Sequence, residues 1–138
     1  MASDPAEVAH ELRTVVGRLV RRLRAAGQIP LPQATVLGRL DREGPLTTSA
    51  LAAAERVRPQ SMAQTVADLE QAGYVSRSAD PADRRQFLLS LTEAGRAAIR
   101  AERSSREGWL AQAIAENVTD PAERATLERA VEILRRLT

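Results

Sequence analysis

The chain has 138 residues, no cysteine, and a formal net charge of +2 from 20 cationic and 18 acidic side chains. A hydrophobic content of 43% at this length allows one respectable core, while the lack of cysteine excludes disulfides, thiol nucleophiles, zinc-thiolate sites and thiol-based peroxide sensing. Every cation is an arginine, the better residue for bidentate phosphate and guanine contacts, although a GC-rich genome produces the same bias.

With so small a net charge, a nucleic-acid surface has to come from local clustering. No apolar run approaches the roughly 20 residues that span a bilayer. Met1-Ala2-Ser3-Asp4-Pro5 lacks a charged and then apolar leader, so a cytoplasmic protein without a membrane partner is expected.

From Pro5 to Ala26, Val8, Leu12, Val15, Val16, Leu19, Val20 and Leu23 recur at three and four, which predicts an amphipathic helix ended by Gly27. Arg18, Arg21, Arg22 and Arg24 crowd its last two turns, where cations complement the helix dipole. Ile29-Pro30-Leu31-Pro32 reads as a short extended linker, and Ala34, Val36, Leu37 and Leu40 mark a second helix that Gly44-Pro45 breaks. Thr47 then caps a short helix carrying Leu51 and Ala52. Pro59 to Ala72 supplies the next, with Met62, Val66 and Leu69 facing inward. The pair reads as a helix-turn-helix, and Gly73 suits a left-handed cap before Tyr74-Val75.

Val75 leads into, and Phe87, Leu89 and Leu91 lead out of, a charged turn at period two. This predicts two antiparallel strands joined by a tip with Asp80-Pro81 turn chemistry. Arg84 and Arg85 project from that tip, where an arginine suits a narrow, electronegative minor groove, and Asp83 is expected to orient Arg85 by a bidentate contact.

After the hairpin, Thr92 can cap a long helix with Ile99, Trp109, Leu110, Ala113 and Ile114, whose middle, Glu102 to Gly108, is polar enough to need a partner or solvent. Asp120-Pro121 restarts a helix with Leu127, Ala130, Val131, Leu134 and Leu137 on one stripe. Neither end of so small a chain can cover its own stripe, and a second copy is the natural cover.

Asp80-Pro81-Ala82-Asp83-Arg84-Arg85 followed by Leu91-Thr92-Glu93-Ala94-Gly95 resembles the wing of a MarR-type winged helix-turn-helix regulator, with turn, arginines and helix start in matching order. The expected fold is mainly α with a small β-hairpin wing. It divides into a dimerisation helix at 1–30, the winged helix-turn-helix DNA-binding domain at 31–91, and dimerisation helices at 92–138. The resemblance implies a homodimeric repressor on double-stranded DNA, reading an inverted-repeat operator.

The start of the second helix of a helix-turn-helix reads the major groove, so Arg58, Pro59, Gln60, Ser61, Gln64 and Thr65 are the candidates there, with Asp83, Arg84 and Arg85 on the wing. Glutamine can address adenine through two hydrogen bonds, serine can bond either base type, and Thr65 suits a phosphate or a thymine methyl. Arg58 departs from the family pattern, which usually has a small polar cap there and an apolar residue and a glycine in place of Glu55 and Arg56.

MarR-type proteins commonly release DNA when a small aromatic or phenolic compound, often a weak acid, lodges between the dimerisation helices and the reading unit. Arg13, with His10 nearby, is the candidate to pair such an acid's carboxylate. No enzyme is expected, because one histidine and scattered carboxylates leave no nucleophile with a base and an orienter. No cofactor and no metal are expected either, since Asp80 and Asp83 lack further ligands. The alternative from another class is a winged helix that binds protein without sequence-specific DNA binding.

Overall fold

The Asp4 carboxylate accepts the Ala6 N–H at 3.0 Å and Pro5 takes the first helical position, so α1 runs Pro5–Ala26. The computed structural model describes residues 2–138. Helix α2 spans Leu31–Glu43 and holds Pro32 in its first turn, so the expected linker at 29–32 shortens to residues 27–30. A proline's fixed φ serves a helix start as well as an extended segment, and the downstream apolar periodicity took it into the helix.

Strand β1 (Leu46–Thr47), helix α3 (Thr48–Glu55) and helix α4 (Pro59–Gln71) come next. The wing strands β2 (Val75–Ala79) and β3 (Phe87–Leu91) follow, then α5 (Glu93–Asn117) and α6 (Pro121–Arg135). Gly73, at φ 79°, takes the left-handed position between α4 and β2. The sheet is antiparallel in the order β1-β3-β2, with Leu46 and Arg77 both opposite Leu89. Strand β1 is not foreseeable from the sequence, because two residues carry no period. Thr47 does two things at once, pairing with Leu88 and capping α3 through the Ala50 N–H at 3.1 Å.

The fully buried side chains Leu37, Leu51, Leu69, Leu89, Val36 and Val66 come from α2, α3, α4 and β3. The core therefore lies inside the helix-turn-helix and its wing, each such side chain contributing roughly 1.5–3 kcal/mol by burial. Arg39 of α2 reinforces the frame by pairing with Glu55 of α3 at 2.6 Å and with Glu43 at 2.7 Å.

Among the described residues α1 and α6 contribute nothing fully buried. α1 packs on α5, which also packs on α2, whereas α6 touches the rest only lightly. Val8, Val15, Val16 and Leu19 of α1, with Val131, Ile133 and Leu134 of α6 and Leu137 just beyond it, remain exposed. In the polar middle of α5, Ser104, Ser105, Glu107 and Gly108 face solvent as expected, and Glu102 is the exception. Glu102 is buried against the chain's own backbone, accepting from the Gln28 and Ile29 N–H groups.

Candidate nucleic-acid interface

Helix α4 turns Met62, Val66 and Leu69 into the core, which leaves Gln60, Ala63, Gln64, Ala67 and Gln71 on its outer ridge. Gln60 and Gln64, one turn apart, face outward as the sequence predicts. Gln64 is not wholly free, because its Nε2 donates to Asp68 Oδ1 at 3.0 Å. Its second Nε2 hydrogen and its Oε1 stay open, so it can still offer adenine a donor and an acceptor while Asp68 orients the amide.

Ser61 is exposed, and Thr65 is half-buried and donates to the Ser61 carbonyl at 3.1 Å. Both side chains border a cavity on the inner flank of α4. Arg58 stands at the helix N-cap with no side-chain cap bond, so Pro59 starts the helix alone. Arg56, at φ 54° and ψ 43°, is the left-handed residue in the turn between α3 and α4, a conformation that costs a non-glycine residue roughly 1–2 kcal/mol.

The wing tip is built from two aspartates that fold the backbone around themselves. Asp80 Oδ1 accepts the Ala82 N–H at 2.9 Å, and Asp83 Oδ1 accepts the Arg85 N–H at 3.0 Å. Asp83 Oδ2 accepts from the Gln86 side chain at 3.2 Å. The Arg85 backbone N–H, then the Gln86 amide, hold the Asp83 carboxyl below its ordinary range.

The expected bidentate contact is absent: no hydrogen bond joins the two side chains, Arg85 Nε stands 3.5 Å from Asp83 Oδ1, and the Arg85 side chain stays 93% exposed. The reason is that Asp83 spends its acceptors on the tip's backbone and on Gln86. It shapes the turn more than it steers the guanidinium. Arg84 is exposed and makes no hydrogen bond or ion pair among the described residues.

Three supporting residues carried no recognisable sequence signal. Arg77 donates to Glu70 at the end of α4 at 2.7 Å and lies 5.7 Å over the Phe87 ring, bracing the wing against α4. Gln86 accepts from Ser49 Oγ at 3.2 Å, tying the tip to the first turn of α3. Asp68 holds Gln64. A cavity of about 330 Å³ opens between the end of α1 and the reading unit, lined in part by Arg24, Leu31, Thr35, Val57, Met62 and Thr65. His10 and Arg13 are exposed in the first half of α1, and neither lines it. The guanidinium at this crevice is that of Arg24.

The comparisons place this arrangement. An HTH-type transcriptional regulator of Mycobacterium bovis is 37% identical over 137 residues, covering 97% of this chain and 94% of its own length. The MarR family model matches residues 29–87. This chain belongs to the MarR family. A transcriptional regulator protein of Pseudomonas aeruginosa superposes with a TM-score of 0.84 at 38% identity, over 99% of this chain and 97% of that one. A MarR family protein of Bacillus stearothermophilus gives a TM-score of 0.80 at 25% identity, over 98% and 97%.

The chain is therefore a winged helix-turn-helix transcriptional regulator, a member of a non-enzymatic family of DNA-binding dimers. None of its helices, among the described residues, is long and apolar enough to cross a membrane.

Proposed function

We propose that this MarR-family chain acts as a homodimeric repressor on an inverted-repeat operator and is released by a small aromatic or phenolic acid. The observation that carries the dimer is the pair of unpartnered apolar faces at the two chain ends. Val15 is 59% exposed and Val8 51% on α1, and Leu137, just past α6, is 72% exposed, at chain ends whose helices have no core of their own. A two-fold axis through these helices presents two copies of α4, and recognition helices that read one face of B-DNA stand about 34 Å apart, one helical turn. Repression then follows from occupancy, since a bound dimer covers promoter DNA that polymerase needs.

In this reading Gln60, Ser61 and Gln64 choose the sequence, Pro59 starts the reading helix, and Thr65 supports it. Arg56, Arg58 and Arg84 meet phosphates, and Arg85 enters the minor groove from a tip shaped by Asp83. The exposed arginine tip and polar reading edge favour DNA over a protein partner, which would call for apolar residues at those places. A ligand in the crevice beside Arg24 would touch Met62 and Thr65 of α4 directly. It releases DNA only if it binds the DNA-incompetent separation of the two reading helices more tightly than the competent one. His10 and Arg13 act on such a ligand only through a surface that one protomer alone does not form.

Selection of duplexes from a random-sequence pool tests the core of this reading. The expected product is a two-fold-symmetric site whose affinity falls steeply with salt. Failure to enrich any sequence, or no duplex binding at low salt, would sink it. Aromatic acids that change neither melting temperature nor operator affinity would remove the ligand.

A further inference from the structure

Residues 27–30 join α1 to α2, and so join the end helices to the DNA-reading unit. This joint is gripped from α5. Glu102 is the buried charged side chain of the described residues, only 4% exposed. Its Oε1 accepts the backbone N–H groups of both Gln28, at 2.7 Å, and Ile29, at 2.8 Å. One turn later, Arg106 Nη2 donates to the Ile29 carbonyl at 2.6 Å. Ile29 is thereby held at its donor and at its acceptor by the same helix.

Arg106 Nε faces Glu102 Oε2 at 3.3 Å, and neither of these buried atoms has a hydrogen-bond partner among the described residues. Each charge is answered by the other. Gly27 permits the approach, since a β-carbon there would collide with the Arg106 guanidinium and the Glu102 carboxylate.

Burying this pair is expensive, and apolar side chains often stabilise a fold as well or better. A connecting segment at the surface could satisfy its N–H groups with water. What an ion pair adds is direction, because hydrogen bonds to two successive amides and the following carbonyl admit one orientation of the joint where apolar packing admits several.

We propose that Glu102, with Arg106, is a positioning residue for DNA binding: it fixes the angle between α1 and the reading unit, and so the separation of the two α4 helices. The statement about separation rests on the dimeric DNA-binding reading above, whereas the angle within one chain does not. Glu102 lies on α5, outside the wing and α4, and acts on DNA only through the joint.

Because the chain has no cysteine, spin labels can be introduced at two exposed sites, Arg18→Cys on α1 and Gln71→Cys at the end of α4. Dilution with unlabelled protein restricts double electron–electron resonance to pairs within one chain. Glu102→Ala should broaden the distance distribution about twofold relative to the same labelled protein with Glu102 intact, at unchanged helical circular dichroism. Glu102→Gln keeps an oxygen for both N–H groups and should restore most of the narrow distribution. An equal width in Glu102→Ala and the parent overturns the proposal.

Where Glu102→Ala proves unable to fold, the double variant Glu102→Met with Arg106→Met, which removes both charges and every hydrogen bond to the joint at similar volume, replaces it, and a width unchanged from the parent is again the overturning result. On duplexes selected by the wild type, Glu102→Ala should bind sites lengthened or shortened by a base pair between half-sites nearly as well as the original. An undiminished spacing preference counts against the proposal. If the wild type selects no symmetric site, the dimeric reading fails and the intrachain distances alone decide the clamp.

Discussion

Arg85→Ala separates binding from folding. The side chain is 93% exposed and its charge contact with Asp83 is long, at 3.5 Å, so it adds little to stability. The Arg85 N–H that Asp83 accepts at 3.0 Å survives in alanine, and with it the turn. The melting temperature should therefore stay within about 1 °C of wild type.

On DNA the balance reverses. One lost groove arginine should weaken binding on the order of tenfold and flatten the slope of log affinity against log salt by about 0.9. A homodimer carries the substitution twice, which compounds to about a hundredfold and about 1.8 in slope if the two wings act independently. Fluorescence anisotropy of a labelled selected duplex, titrated between about 50 and about 200 mM salt, resolves both quantities. Arg84→Ala should flatten the slope alike but keep any preference for A·T-rich sequence under the wing, which Arg85→Ala should erase. Wild-type affinity and slope in Arg85→Ala would refute the placement of this residue in the groove.

Gly95→Ala should destabilise the fold by about 3 kcal/mol or more, because a β-carbon would collide with the Tyr74 carbonyl, a backbone atom that cannot swing away; an unchanged urea midpoint would show that the start of α5 can shift. Arg56→Gly should relieve the left-handed strain, raising stability by up to about 1 kcal/mol net of glycine's greater freedom in the unfolded chain. It should also weaken DNA binding through the lost cation, so equal or tighter binding would remove Arg56 from the phosphate contacts.

The Asp83 carboxyl is depressed in the folded chain. Its contribution to tip order is thus complete above the range where an unfolded aspartate titrates, near pH 4, and is lost as pH falls through the lower folded value. Hydrogen exchange at Arg85 should be protected equally at about pH 6 and about pH 8 once corrected for intrinsic rates. A step in protection between those values would mean that another group holds the tip.

Much of this molecule is legible in residues close together in the chain. Asp4-Pro5, Thr47, Thr92 and Asp120-Pro121 start helices because a short polar side chain can accept an amide within the next turn. Gly73 turns the chain because a positive φ is open to it. The inward stripe of α4 follows from period, and the exposed wing arginines from the turn chemistry of the tip. In such cases both partners of the contact lie within a few residues, and local chemistry suffices.

Other features depended on contacts between distant segments. Strand β1 is too short for any pattern and exists because β3 offers it an edge. Whether Arg77 reached for DNA or for Glu70 depended on where the wing folds against α4. Asp83 was legible as a turn residue, yet its two acceptors were claimed by Arg85's backbone and by Gln86, which left the Arg85 guanidinium loosely held.

Glu102 marks the boundary most sharply. In the sequence it belongs to a polar stretch that calls for a partner or solvent, and its partners Gln28 and Ile29 lie more than seventy residues away. Sequence alone determined the helices, the turns and the wing, since hydrogen bonding and periodicity act over a few residues. Tertiary structure decided which charges are buried, which are braced and which stay exposed, because those outcomes depend on which backbone groups distant segments bring within reach.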